Sequence, residues 1–216
     1  MKVKYDHRTG ARKQTGRKWL TLPILGLFGG LYLLVNVLTP AVSLTADDGA
    51  KAAQKLVATQ PEIHNNRLYV PKVSIDVAVV PIEGNETLAL EKGAINRAPK
   101  SGNPKDGGNF VLAAHRFNLG LTPSQTRAKS PFYHIDQLKT GDDIYVDYQG
   151  IRYAYRVQER KMVMPDAVEI EAPTNDNRLT MYTCELAGPK AGREVVIAKP
   201  VGTIVWNSGK PALKTL

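Results

Sequence analysis

Hydrophobic and polar positions change texture twice along this chain. Residues 19–38, WLTLPILGLFGGLYLLVNVL, run for twenty positions without a charge. At about 1.5 Å rise per residue a helix of that length spans about 30 Å, the thickness of a hydrocarbon core. Pro23, Gly26, Gly29 and Gly30 would weaken a soluble helix, but a membrane tolerates them. The pattern predicts a membrane-spanning helix rather than a buried core helix. Residues 39–65 read as a stalk. Within it Asp47 to Thr59 is rich in Ala, Lys and Gln and predicts a short helix that ends before Pro61.

From Arg67 onward the pattern becomes short apolar runs separated by turn residues. RLYVPKV and DVAVVPI come first, and Glu83-Gly84-Asn85 marks a turn. Leu88 to Ala94 fits a helical turn, and residues 99–109 are a loop by composition. FVLAAH (110–115) is an apolar run that ends on a histidine, and residues 116–130 read as a polar surface loop. PFYHIDQL (131–138) predicts a short helix closed by Gly141. DIYVDY (143–148) and IRYAYRV (151–157) flank Gln149-Gly150, a hairpin signal. RLTMYTC (178–184), REVVIAK (193–199) and TIVW (203–206) complete the set. About eight short strands with few helices predict an all-β sandwich or barrel.

Charge changes the picture mainly at the N-terminus. The net charge of +9 invites a nucleic-acid partner. Residues 1–18, however, hold seven Lys/Arg against one acid, Asp6, whereas residues 39–216 hold 22 Lys/Arg against 19 Asp/Glu. The excess is a basic leader, and the remainder has no basic stripe with interleaved aromatics, so nucleic-acid binding is not expected. The same leader orients the span. Positive residues precede it and Asp47 and Asp48 follow it, which predicts residues 1–18 inside and residue 39 onward outside the cytoplasmic membrane. The competing explanation is a cleaved signal peptide with Ala41-Val42-Ser43 as its small-residue site. The apolar stretch is longer than such peptides use, which favours an uncleaved anchor.

The single cysteine excludes an intrachain disulfide and leaves either a buried small side chain or a reactive thiol. Cys184 ends a β-rich run and precedes a Gly/Pro loop, ELAGPKAG, which places it where a substrate can reach it. Three histidines follow the span. His64 lies in the stalk and His134 in the predicted PFYHIDQL helix, where it reads as a half-buried surface residue. His115 lies at a strand-to-loop junction and suits general acid/base work. Arg193 is the only arginine after Cys184 and opens the next strand. Two antiparallel neighbours would bring the two residues to one cleft, where a guanidinium can hold a carbonyl or an oxyanion. No pair of Cys or His residues has zinc spacing, and no metal or cofactor is expected.

At these residues the chain resembles the sortase family, over about residues 67–206. LTMYTC followed by Arg193 is similar to the family's TLxTC…R signature. GNFVLAAHR is similar to its histidine block, and PFYHIDQLKTGDDIYV to its F-x-x-L…GD-x-I-x-V stretch. YVPKVSIDVAVVPI resembles the opening strand pair, and LEKGAINRAPKSGNP the loop before the histidine block. Ala114 stands where many members have Gly, and Glu185 where many have Thr-Pro. No Asp-Pro-aromatic lid motif of the pilus-building members occurs upstream.

The resemblance implies a closed eight-stranded β-barrel with short helices and a membrane-anchored cysteine transpeptidase. Cys184 would be the nucleophile, His115 the acid/base and Arg193 the substrate and oxyanion holder, with Thr183 adding a hydroxyl. The implied partners are surface proteins with a C-terminal LPxTG-like sorting signal, and an amine acceptor on peptidoglycan precursor or a protein lysine. The implied organisation is a leader (1–18), an anchor (19–38), a stalk (39–65), a catalytic domain (66–206) and a tail (207–216). An L,D-transpeptidase would need His-Gly before the cysteine, where Tyr182-Thr183 stand. Papain-like enzymes place Cys before His, the reverse of the order here. A hydrolase of the same fold, or a catalytically silent binding module, is the remaining alternative.

Overall fold

The computed structural model describes residues 4–5, 12–13, 18–42, 51, 54, 56, 59–186, 188–207 and 209–216. Most of the predicted leader and of the Asp47–Thr59 helix lies outside the described residues. Helix α1 (Lys18–Val42) contains the apolar run and extends past its predicted end. Its stretch Thr21–Ala41 is long and apolar enough to cross a membrane.

Eight strands that form a ring follow, besides a two-residue strand at Gly102–Asn103 that pairs with the fourth of them: β1 (Arg67–Val70), β2 (Ile75–Val80), β3 (Ala94–Asn96), β4 (Gly107–Ala113), β5 (Asp143–Tyr148), β6 (Ile151–Val163), β7 (Arg178–Glu185) and β8 (Gly188–Asn207). They pair in the order β7-β8-β6-β5-β1-β2-β3-β4, and β4 pairs back onto β7, which closes a ring of eight strands. The closing pair is parallel, as is β2–β3. Gln149 and Gly150 join β5 to β6 with φ of 50° and 80°, the positive values that a two-residue hairpin turn of this kind requires.

Short helices fill the connections. In α2 (Glu86–Leu90) the Asn85 side chain accepts from the Thr87 and Leu88 amides. In α3 (Pro123–Ala128) Thr122 accepts from the Gln125 amide and Pro123 sits in the first turn, two start signals acting together. This helix lies inside the segment read as a surface loop. The PFYHIDQL segment holds only a 3-10 turn, Ile135–Gln137. Two other differences appear at the C-terminal end. REVVIAK and TIVW are one long strand, because Pro200 and Gly202 are absorbed by a register shift rather than ending it. The tail contains a further strand, β9 (Lys210–Thr215), paired with β8.

Alternation sorts the side chains onto two faces. Every ring strand contributes to one interior cluster, which includes Leu68, Phe110, Leu112, Ile144, Tyr155, Met181 and Val196. A second cluster lies on the opposite face of β3, β4, β7 and β8, where Ile95, Val111, Ala113, Tyr182 and Val195 meet Ala89 of α2 and Ile170 of a 3-10 turn (Val168–Glu171). Asn109 fastens that turn: its Nδ2 donates to the Ile170 and Ala172 carbonyls at 2.9 and 2.8 Å, and its Oδ1 accepts from Thr180 Oγ1 at 2.7 Å.

Candidate active site

The parallel pair β4–β7 sets Ala113 beside Tyr182. Carried two residues further, that register brings His115 level with Cys184. On the other side of β7 the antiparallel partner of Cys184 is Arg193. His115, two residues past the end of β4, Cys184 and Arg193 thus fall in a row at the same end of three neighbouring strands, which lie about 4.8 Å apart. They share the face that carries the second cluster. Ala113 precedes His115 by two residues, Tyr182 precedes Cys184 by two, and Val195 follows Arg193 by two.

Cys184 is part-exposed, and Arg193 Nη1 lies 3.4 Å from its Sγ. The register of β7 against β8 shifts between Cys184 and Glu185, so regular pairing stops at the thiol and frees its far side for a loop. A guanidinium against the sulfur stabilises negative charge there, or on an oxygen bound beside it.

His115 is half-buried, and its Nε2 has no hydrogen-bond partner among the described residues. Burial lowers its pKa from 6.5, the Glu91 carboxylate opposes that shift, and Lys129 adds to it. Glu91 is itself held by Lys129 Nζ at 2.7 Å and by Asn118 Nδ2 at 3.2 Å, bonds that hold its carboxyl below the usual range. The His115 carbonyl accepts from the Phe132 amide at 3.1 Å, which ties the residue to the start of the next segment.

Thr183 is placed differently from the other expected residues. It is 1 % exposed, it belongs to the interior side of β7, and its Oγ1 donates to the Ala114 carbonyl at 2.7 Å. The Ala114 amide reaches the Tyr182 carbonyl at 3.4 Å. Together these bonds lock the last rung between the histidine strand and the cysteine strand. The Thr183 hydroxyl is thus engaged with the backbone behind the site. Neither His64 nor His134 joins the row; His134 bonds to α1 instead.

Several side chains around the row escaped sequence reasoning. The Tyr182 hydroxyl donates to Glu171 and accepts from Arg97 Nε at 3.2 Å, while Arg97 also pairs with Glu86. Burial first, then Glu171, pushes the Tyr182 hydroxyl above its ordinary pKa, so it remains a donor. This network ties β7 to α2 and to the Val168–Glu171 turn, the two walls beside the outer cluster. The available signal was the two-residue spacing of Tyr182 from Cys184, which puts both on one face. Among the described residues no group of three or more His, Cys, Asp or Glu could hold a metal ion.

Comparison with known proteins adds to this geometry. A family model described as the sortase domain matches residues 68–201. Sortase A of Streptococcus agalactiae serotype III (strain NEM316) is 26% identical over 151 residues, covering 68% of this chain and 58% of that protein. Sortase A of Bacillus anthracis is 26% identical over 137 residues, covering 63% of this chain and 60% of that one. The matched stretch thus spans less than two thirds of these relatives' own length. The structure of Listeria monocytogenes sortase A superposes with a TM-score of 0.52 at 24% identity, covering 71% of this chain and 93% of that chain. Sortase E1 from Streptomyces coelicolor gives a TM-score of 0.53 at 22% identity, with coverage of 70% and 91%. These two structures share the fold.

Proposed function

The chain belongs to the sortase family, and on that premise we propose that it is a membrane-anchored cysteine transpeptidase acting on an LPxTG-like sorting signal. The observation that carries this reading is the row His115–Cys184–Arg193 at one end of the ring, with the Arg193 guanidinium 3.4 Å from the sulfur.

In the first half-reaction the Cys184 thiolate attacks the carbonyl carbon of the scissile peptide bond. The new C–S bond pushes the carbonyl electrons onto oxygen, and Arg193 stabilises that oxyanion. When the tetrahedral intermediate collapses the C–N bond breaks, and the departing amine takes a proton from the His115 imidazolium. A thioester remains on Cys184. In the second half-reaction an amine attacks the thioester, gives its proton to neutral His115 and expels the thiolate. The amine belongs to a peptidoglycan precursor or to a lysine of another protein. Thr183 acts behind the row, holding the β4 and β7 ends at the spacing that the proton transfer needs.

The outer cluster, buried against α2 and the Val168–Glu171 turn, backs the site from below rather than lining it. Helix α1 is the single-pass anchor, and the ring stands outside the cytoplasmic membrane. The basic leader and the apolar Thr21–Ala41 stretch support this orientation.

The test uses the detergent-solubilised full chain with an LPxTG-type peptide, with and without a glycine-peptide amine. Mass spectrometry should find an acyl adduct on Cys184 and, with the amine, the ligated product. Cys184→Ala should give neither. An adduct resolved only by water would replace transfer with hydrolysis. No adduct across a small library of sorting motifs, with the thiol still alkylatable, would overturn the assignment.

A further inference from the structure

His115 stands outside the ladders of the ring. Strand β4 ends at Ala113, and among the described residues the bonds of Ala114 to Tyr182 and Thr183 are the last between the β4 chain and β7. No strand pairing of its own fixes where the imidazole stands. Two bonds to one other segment take that place. The Phe132 amide donates to the His115 carbonyl at 3.1 Å. The next residue, Arg116, brings Nη2 to 2.8 Å from Asp136 Oδ2. One residue further on, Phe117 is back at the surface.

Arg116 is an expensive residue to put there. It is 6 % exposed, and taking a guanidinium out of water is repaid only in part by its ion pair. An apolar side chain of similar volume would serve stability as well or better. What the guanidinium adds is direction, because its planar fork meets a carboxylate in a fixed geometry. The carboxylate it meets stands on a rigid base. Asp136 belongs to the 3-10 turn Ile135–Gln137, and Phe132, Ile135 and Leu138 of the same segment are fully buried members of the interior cluster. The Ile135 amide donates to the Phe132 carbonyl and the Leu138 amide to the Ile135 carbonyl, each at 3.2 Å. Phe132 to Leu138 is thus a plug seated in the core at the His115 end of the ring, and Asp136 is its partly exposed handle.

We propose that Arg116 is a positioning residue for His115: its ion pair with Asp136 sets the end of the β4 chain against the Phe132–Leu138 plug and so fixes the imidazole at its place beside Cys184. The inference rests on the transpeptidase reading and adds to it the side chain that registers the acid/base against the core. Thr183 holds the rung before His115, and Arg116 holds the residue after it. The histidine is thereby fixed from both sides although no ladder contains it. That matters for the proton that passes to the departing amine, since a misplacement of about 1 Å at such a step costs about 10²-fold in rate.

The test separates position from stability. In the detergent-solubilised full chain, Arg116→Met with Asp136→Leu removes both charges at once, so no buried guanidinium is left unpaired and the melting temperature should stay near the parent's. With the LPxTG-type peptide and the glycine-peptide amine, kcat should fall about 10²-fold while KM and the rate of Cys184 alkylation by iodoacetamide stay as in the parent. Arg116→Lys is the second variant, in case the double one misfolds. It keeps the charge and loses the fork, and it should lower kcat by a smaller factor, again at unchanged KM. A kcat like the parent's in these variants overturns the inference. A kcat that falls only as far as the folded fraction falls overturns it too, and leaves Arg116 a purely structural residue. If the parent chain itself forms no acyl adduct, the transpeptidase reading fails, and the inference with it.

Discussion

The two faces of β4 and β7 are built from alternate residues of the same strands, yet they obey different rules. Inward, Phe110, Leu112, Leu179 and Met181 are at most 1 % exposed and belong to the interior apolar cluster. Outward, Ala113 and Tyr182 lead to His115 and Cys184, and the cluster there mixes small apolar side chains with the Arg97–Glu171–Tyr182 network. The interior gains stability from filling space. The outer face gives up filling near the strand ends and uses the rigidity beneath it to hold polar groups in register. A substitution should therefore act on stability when it falls in either buried cluster, and on turnover when it falls in the outward row at the strand ends.

The largest departure should come from the outer row. Arg193→Lys keeps the charge and loses the planar fork, and by analogy with removal of an oxyanion donor kcat should fall by about 10²–10³. The melting temperature should stay near that of the parent. A large loss of stability would show that Arg193 belongs to the core and not to the site.

Inward, Met181→Ala should cost about 2–5 kcal/mol in denaturant unfolding, because a fully buried side chain leaves a cavity. The fraction that remains folded should turn over substrate nearly as before. Thr183→Val sharpens the division, because it sits inward but one residue from the nucleophile. Losing the bond to the Ala114 carbonyl should cost about 1–3 kcal/mol. It should also lower kcat with little change in KM, since the row is displaced but the binding face is kept. Unchanged kcat would remove Thr183 from any positioning role.

The smallest effect is electrostatic. Burial already holds His115 below its ordinary pKa of 6.5, and Glu91 partly offsets that by favouring the protonated ring. Glu91→Gln removes the offset, so the ring's midpoint in an NMR titration should move lower still and less imidazolium should be present at neutral pH. A midpoint that rises would show that burial does not dominate at His115.

Much of this division was legible in the chain. Alternation within FVLAAH and RLTMYTC sorts the faces, and a histidine and a cysteine at the strand ends mark the chemistry. The Arg193 partnership followed from antiparallel neighbours joined through a loop. What was hidden depends on contacts between distant segments. Arg97 reaches Tyr182 across 85 positions and Tyr32 reaches Leu121 across 89, separations at which no local pattern speaks. Strand β9 was hidden for another reason: KPALKT carries a proline and two lysines, the composition of an edge strand, which reads as a tail. REVVIAK and TIVW read as two strands because the bulge that joins them across Pro200 and Gly202 needs the neighbouring strand to be present.

The parallel β4–β7 pair has a consequence for the life of the chain before it is folded. Thr183 and Ala114, the last rung of that pair, are 69 positions apart, so the rung forms only when a long loop closes. Pairing of that kind comes slowly in folding. Until then the Cys184 thiol exists without the His115 end of β4 beside it. On the proposed function, a newly made chain would therefore carry a nucleophile that is chemically incomplete. Turnover becomes a certificate that the ring has shut, and an assay of nascent material would time that event.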